Sequence, residues 1–207
     1  MRGVFISLEG SEGVGKSTQM NALISYLRDK DVDVLETREP GGPELSERIR
    51  SLLLDKSLPS MHVDTELLLM FASRAEHVQK TILPALEAGK WVVSDRFVDA
   101  SYAYQGYGRG IDLERIARLD EWTLQGFAPD LTLLLDLDSK VGDQRVEVRG
   151  ERDRFELEQA EFFERVRAGY KTLAEMHPQR FHVIDAGGTI EEVSASIKQC
   201  IRDRFSI

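Results

Sequence analysis

The chain has 207 residues, 42% of them apolar and 30% charged, with no low-complexity stretch and no apolar run near the ~18 residues a membrane span needs. Its 36 acidic side chains against 27 basic ones leave a net charge of -9, which argues against a general nucleic-acid binder or a protein of anionic membrane surfaces. The lone cysteine, Cys200, excludes an intrachain disulfide or a cysteine zinc cluster, fits a reducing cytoplasm, and is expected at a buried apolar helix position.

In chain order, the apolar run Val4 to Leu8 leads through Glu9 into GSEGVGKST, residues 10 to 18. Met20, Leu23, Ile24 and Leu27 then recur at spacings of three and four, which predicts an amphipathic helix. A second run, Val32 to Leu35, precedes TREPGG (37 to 42) and a helix expected near 44 to 54. A helix near 65 to 88 carries FASRAEH (71 to 77), and a third run, Trp91 to Val93, opens into SDRFVDASYAYQG (94 to 106), whose polar residues read as loop. Beyond it lie a helix near 112 to 124, a run from Leu131 to Leu135, and the charged segment Ser139 to Arg154, which reads as exposed and mobile. A helix near 157 to 176, a run from Phe181 to Ile184 and a helix near 190 to 204 complete the chain. Short apolar runs alternating with helical segments predict βαβ units and a parallel sheet, hence an α/β fold in one domain, 1 to 207.

The stretch Gly10, Ser11, Glu12, Gly13, Val14, Gly15, Lys16, Ser17, with Thr18 following, matches G-x-x-x-x-G-K-[ST] between a strand and a helix. With glycine at ~7% of residues, chance alone produces this pattern in on the order of one in a hundred chains of this length. Glycines let backbone N–H groups turn toward phosphate oxygens, Lys16 reaches the β and γ phosphates, and Ser17 ligates Mg²⁺. Regulatory GTPases, motor ATPases and small-molecule kinases all share such a loop. An Asn-Lys-x-Asp guanine reader is missing and the chain is short for a motor, so a kinase for a small acceptor leads.

Several other residues carry two readings from their positions alone. Phe71 and Arg74, three apart on a helix, share a face on which a ring stacks on a base and a guanidinium donates to its carbonyl, or Phe71 is a core aromatic. Arg38 and Arg96 each follow a strand, at the sheet edge where open α/β folds bind ligands, and are suited to phosphate by their planar fork; the alternative is a surface ion pair with the adjacent Glu39 or Asp95. Asp95 sits beside Mg²⁺, orients Arg96 or caps its strand. Arg145, Arg149 and Arg152, spaced four and three, form one cationic stripe if the segment is helical, or lie in a solvated loop neutralised by Glu147, Glu151 and Asp153.

Taken together and in order, EGSEGVGKST, TREPGG, FASRAEH, SDRFVDASYAYQG and RVEVRGERDRFE resemble the bacterial kind of thymidylate kinase over essentially the whole chain. The resemblance implies a three-layer P-loop kinase fold with a five-stranded parallel sheet and a small mobile lid at about 139 to 155. It also implies a homodimer that uses ATP with Mg²⁺ to convert dTMP to dTDP, without nucleic acid or membrane as partner. By the same analogy, residues 10 to 18 and Arg145 bind ATP, Ser17 and Asp95 lie at the metal, and Lys16, Arg96, Arg149 and Asp95 serve catalysis. Arg38 and Arg96 hold the dTMP phosphate, Phe71 and Arg74 contact thymine, and Glu12 accepts from the sugar 3'-hydroxyl or acts through water near the metal. Ser101 and Tyr104, joined by Gln105, read the base and crowd the 2' side, while Arg145, Arg149 and Arg154 match lid positions and Arg152 does not. An acceptor phosphate with a second pKa of about 6 is a dianion at neutral pH, so no general base is expected. The competing assignments are a kinase for dUMP or a broader deoxynucleotide set and, outside enzymes, a nucleotide-binding regulatory module.

Overall fold

A computed structural model describes residues 2–58, 61–149, 154–155 and 158–207. Five strands, β1 (Phe5–Glu9), β2 (Val34–Arg38), β3 (Trp91–Asp95), β4 (Leu131–Asp136) and β5 (Phe181–Asp185), form one parallel sheet in the order β2-β3-β1-β4-β5. Each predicted apolar run is a strand, and each extends one to three residues beyond the run at its C-terminal end, where polar side chains begin. With β1 central, the loop after it opens at the place where the chain's progress across the sheet reverses, the crevice in which such sheets bind ligands.

Alternation along β1 sorts the two faces. Ile6 and Leu8 join Met20, Leu23, Ile24 and Leu27 of α1 (Lys16–Asp29) and Val193, Ile197, Cys200 and Ile201 of α9 (Ile190–Phe205) in one core. Cys200 is therefore a buried helix residue, as its apolar setting predicts. Phe5 points the other way, into a core with Leu67 and Phe71 of α3 (Val63–His77) and Ile116 of α6 (Leu113–Leu124). A third cluster is built on α8 (Ala160–Met176), where Phe162, Val166 and Tyr170 meet Ala103, Tyr104 and Leu134. Helices on both faces of the sheet make three layers.

The helix expected near 65 to 88 is continuous from Val63 to Glu87 but changes pitch: residues Val78–Ile82 form a π turn between α3 and α4 (Leu83–Glu87). Pro84 has no N–H to give the preceding turn, and the wider π pitch accommodates its ring without ending the helix. Helix α2 (Glu44–Leu54) packs on α3. Two differences from the sequence reading bear on function. Residues read as loop after β3 are helical, as α5 (Val98–Ser101) running into a π helix at Tyr102–Gly108, and they are clamped to α8 so closely that a Cβ on Gly169 would lie 2.6 Å from the Tyr107 ring. The segment read as mobile starts as a helix, α7 (Ser139–Arg149). Residues 150–153 of the expected lid, and Arg152 with them, lie outside the described residues, as does the side chain of Arg149.

Candidate active site

Two cavities meet at the C-terminal edge of the sheet. The larger, about 1100 Å³, is lined by Glu12 through Gln19, by Arg38, Asp95, Arg96 and Arg145, and by Ala186, Gly188, Thr189, Ile190 and Val193. The smaller, about 80 Å³, is bounded by Met70, Arg74, Phe97, Ser101, Tyr104, Gln105 and Phe155. Glu12, Glu39, Arg50, Leu54 and Arg96 line both.

The phosphate loop is held from three sides. Lys16 folds over it and donates Nζ–H to the carbonyls of Gly10 (3.1 Å) and Ser11 (2.8 Å). Burial, and after it the positive charge of Arg96, lower the pKa of this ammonium, while Glu12 and Asp95 act to restore it. Gly13, at φ +72°, faces Gly142 of α7 so closely that a Cβ there would stand 2.1 Å from the Gly142 carbonyl oxygen. A Cβ on Gly142 would in turn come within 2.7 Å of the Glu12 carbonyl oxygen. The lid helix thus rests on the phosphate loop at a glycine-to-glycine contact, and Arg145, one turn further along α7, enters the wall of the larger cavity.

Arg96 is the hub of the site. It is the first residue after β3 and sits in the left-handed region, φ +70°, a conformation that costs a non-glycine residue about 1–3 kcal/mol and concentrates at functional sites. Its guanidinium donates to the Gly10 carbonyl (2.9 Å), to Tyr170 Oη (3.3 Å) and to Glu12 Oε1, and lies 4.7 Å from the centre of the Tyr104 ring. Glu12 Oε1 also accepts from Tyr104 Oη (3.1 Å). The ion pair weighed from sequence, with Asp95, does not form; nor does that of Arg38 with Glu39. Arg38 is paired instead with Glu47 (2.9 Å), which also accepts the Gly42 N–H (2.8 Å) and so ties the TREPGG turn to α2. Asp95 keeps one carboxylate oxygen buried and without a hydrogen-bond partner among the described residues. That orphaned oxygen, beside Ser17 in the cavity wall, suits a cation.

In the smaller cavity Arg74 is buried and fully directed. Its guanidinium donates to Glu39 Oε2 (2.7 Å), Ser101 Oγ (3.0 Å) and the Phe97 carbonyl (3.2 Å). Phe71, expected against the base, is corrected by the structure: it is a core residue of the α3 face, 3% exposed, with Arg74 stacked 4.8 Å above its ring. One residue of helix rotates a side chain by about 100°, so the neighbour Met70, four positions before Arg74, lines the cavity instead. Ser101, Tyr104 and Gln105 converge on the cavity because they sit at i, i+3 and i+4 of the helical stretch the sequence did not reveal. Arg154, grouped from sequence with Arg145 and Arg149, parts from them: it donates to Glu66 (2.6 Å) and to the Leu53 carbonyl (2.7 Å) on the side of the smaller cavity.

Sequence reading missed the buried acids that orient these cations. Glu9, at the end of β1 and fully buried, accepts from the Phe97 N–H (2.7 Å) and from Tyr170 Oη (2.8 Å). Burial first, then the charge of Asp99, raise its pKa to about 8 against the opposing pull of Arg96. Glu39 bridges Arg74 and His77, and His77 Nε2 lies 2.7 Å from Thr37 Oγ1. The sequence marks these residues only as a charge at the end of an apolar strand, Glu9, and one in the turn after β2, Glu39.

Residues 8–197 match the family model described as thymidylate kinase. The chain belongs to the thymidylate kinase family. The thymidylate kinase of Ruthia magnifica subsp. Calyptogena magnifica is 54% identical over 197 residues, 95% of this chain and 96% of that one. That of Alkalilimnicola ehrlichii is 54% identical over 201 residues, 97% and 93% of the two chains. The crystal structure of thymidylate kinase from Ehrlichia chaffeensis superposes with a TM-score of 0.78 at 34% identity, covering 97% of this chain and 99% of that one. The five-stranded parallel sheet and its flanking helices are thus those of the P-loop kinase fold the motifs implied. As a thymidylate kinase, the chain is a nucleoside monophosphate kinase that transfers the γ-phosphoryl of ATP to dTMP, giving dTDP and ADP.

Proposed function

We propose that the larger cavity takes ATP, the smaller one takes the thymine and sugar of dTMP, and phosphoryl transfer occurs where they join. The observation that carries this is the set of residues common to both cavities, in which the guanidinium groups of Arg50 and Arg96 sit between the phosphate loop and the Arg74 pocket. In this reading the backbone of residues 10–18 cradles the donor phosphates, Lys16 leaves the Gly10 and Ser11 carbonyls for the β and γ oxygens, and the rim at Ala186, Gly188 and Thr189 receives adenine. Arg38 and Arg96 hold the acceptor phosphate, with Arg96 exchanging its bond to Glu12 for the incoming dianion and Glu12 turning to the sugar hydroxyl. Arg74 and Ser101 read the base edge, with Gln105 beside them, and Tyr104 closes the 2' side.

Ser17 and Asp95 would hold Mg²⁺, which when bound would neutralise charge on the β and γ phosphates. The chain itself excludes water by closing residues 139–155 and brings Arg145 and Arg149 to the transferring group, so that positioning and charge stabilisation do the catalysis. No group need take a proton from the acceptor, because its phosphate is already a dianion. Exposed apolar residues of the adjoining helices α3 and α6, Leu68, Leu113 and Trp122, support assembly as a homodimer. The single buried thiol supports a cytoplasmic enzyme, and no described helix is long and apolar enough to cross a membrane.

The test is an acceptor panel run on the wild type and on Arg74→Ala. The wild type is expected to prefer dTMP over dUMP, dCMP, dGMP and ribo-TMP. Arg74→Ala is expected to lose most of the preference over dCMP, because a site built to pair a base edge rejects the wrong base by stranding a buried donor. A preference that survives the substitution unchanged would refute the assignment of the smaller cavity to the base.

A further inference from the structure

Glu66 lies in the first turn of α3, is 1% exposed, and has no contact with either cavity, yet it joins four segments. One carboxylate oxygen accepts from Gln105 Nε2 (2.9 Å) and from Arg109 Nε (3.3 Å). The other accepts from Arg154 (2.6 Å) and from a second nitrogen of Arg109 (3.3 Å). Arg154 in addition donates to the carbonyl of Leu53 (2.7 Å), one of the last carbonyls of α2 that no helical N–H can reach. Its guanidinium stacks 4.5 Å from the centre of the Phe155 ring, and that ring, edge-on to Tyr104 at 6.2 Å, is part of the smaller cavity's wall.

A buried carboxylate between two guanidinium groups is costly to remove, since its loss leaves Arg154 without the Glu66 charge and Arg109 with Glu158 alone among the described residues. The two oxygens of Glu66 therefore fix two parts of the acceptor pocket at once, Gln105 directly and Phe155 through Arg154. We propose that Glu66 is a positioning residue that fastens the C-terminal end of the lid to the acceptor pocket and so sets dTMP affinity, acting through Arg154 and Phe155. This rests on the reading of the smaller cavity as the dTMP site. Phe155 is the ring the latch delivers. The wall of the larger cavity does not include Phe155, so the KM for ATP serves as the control.

The experiment is steady-state kinetics on Glu66→Gln, Phe155→Ala and the double variant, each with dTMP and ATP varied in turn. Glu66→Gln keeps shape and one acceptor but loses the charge that holds Arg154. Each single variant is expected to raise the KM for dTMP about tenfold while the KM for ATP stays within about twofold; because Glu66→Gln keeps an oxygen to accept from Gln105 and the loss of its charge is felt through Phe155, the double variant is expected to be no worse than Phe155→Ala alone. Multiplicative effects in the double variant, an equal rise in the ATP KM, or an unchanged dTMP KM would each overturn the proposal. If Glu66→Gln does not accumulate as folded protein, Arg154→Ala breaks the same link from the partly exposed side, with the same expected rise and the same refuting outcomes. Arg74→Ala separates the two claims. If it raises the dTMP KM and the latch variants do not, only this proposal fails; if it too leaves the dTMP KM unchanged, the reading of the cavity itself fails.

Discussion

Glu9→Gln tests whether the acid beneath Arg96 is held neutral. In the folded protein the Glu9 carboxyl is driven to about 8 by burial and by Asp99, against 4.5 for the free side chain. An acid with a raised folded pKa binds its proton more tightly when folded, so its contribution to stability is complete below about pH 4.5 and is lost progressively as pH rises to about 8. Each pH unit in that window costs about 1.4 kcal/mol, so between pH 6 and pH 8 the wild type should lose about 2 kcal/mol through this one group and little more above pH 8. Glutamine has nearly the same shape and cannot ionise; its one oxygen accepts the Phe97 N–H, and its amide N–H donates to the Tyr170 oxygen, which turns from donor to acceptor. Urea unfolding of both proteins at pH 6, 7, 8 and 9, with the m-value held common, gives the difference directly. The stability gap should move in favour of Glu9→Gln by about 2 kcal/mol from pH 6 to pH 8 and then flatten. Parallel pH profiles for the two proteins would mean that Glu9 is an ordinary carboxylate in the folded state, and that the neutral hydrogen-bonded acid is wrong.

Three further outcomes follow from the site. Lys16→Ala should leave a folded protein whose kcat for dTMP phosphorylation falls by several orders of magnitude, read in a coupled assay alongside circular dichroism, since in the proposed reading Lys16 turns from the Gly10 and Ser11 carbonyls to the β and γ oxygens. Arg149→Ala should lower kcat by ~10³ or more with little change in dTMP affinity, because an arginine meeting the transferring group acts in the transition state; Arg96→Ala should weaken dTMP binding as well, and equilibrium binding beside turnover separates the two. Gly13→Ala places a methyl 2.1 Å from the Gly142 carbonyl in a φ +72° conformation, so loop or lid helix must shift, and the KM for ATP should rise at least about tenfold while unfolding stability drops by only about 1–2 kcal/mol.

The sheet was legible in the sequence because its signal is local. Five short apolar runs bounded by turn residues translate directly into five strands, and the phosphate loop announces itself by spacing alone. Arg38, Arg96 and Asp95 were placed correctly at strand ends for the same reason. What escaped was set by tertiary context. Residues 98–108, with tyrosines and glycines in place of strong helix formers, are helical because Tyr107 and Gly108 seat on α8, a contact between segments some sixty residues apart. Met70 and Phe71 are equally apolar, and only the phase of α3 against its neighbours decides which of them faces the cavity. Glu9, Glu39 and Glu66 look like ordinary acids at a strand end, in a turn and in a helix, and their meaning lies in the arginines and hydrogen-bond donors that the fold brings to them from 35 to 161 positions away.

The contact between Gly13 and Gly142 has a consequence for how the lid can travel. With backbone against backbone and no side chain between, the root of α7 has no slack relative to the phosphate loop, so whatever bends must bend beyond residue 142. Arg145 is only three residues past that anchor, about 4.5 Å along the helix axis, and can swing little. Arg149, the last residue of α7, is seven residues past Gly142, about 10.5 Å along the axis, so any bend beyond residue 142 displaces it further than Arg145. The same stem therefore carries one arginine in the wall of the cleft, close to its anchor, and one a further turn out.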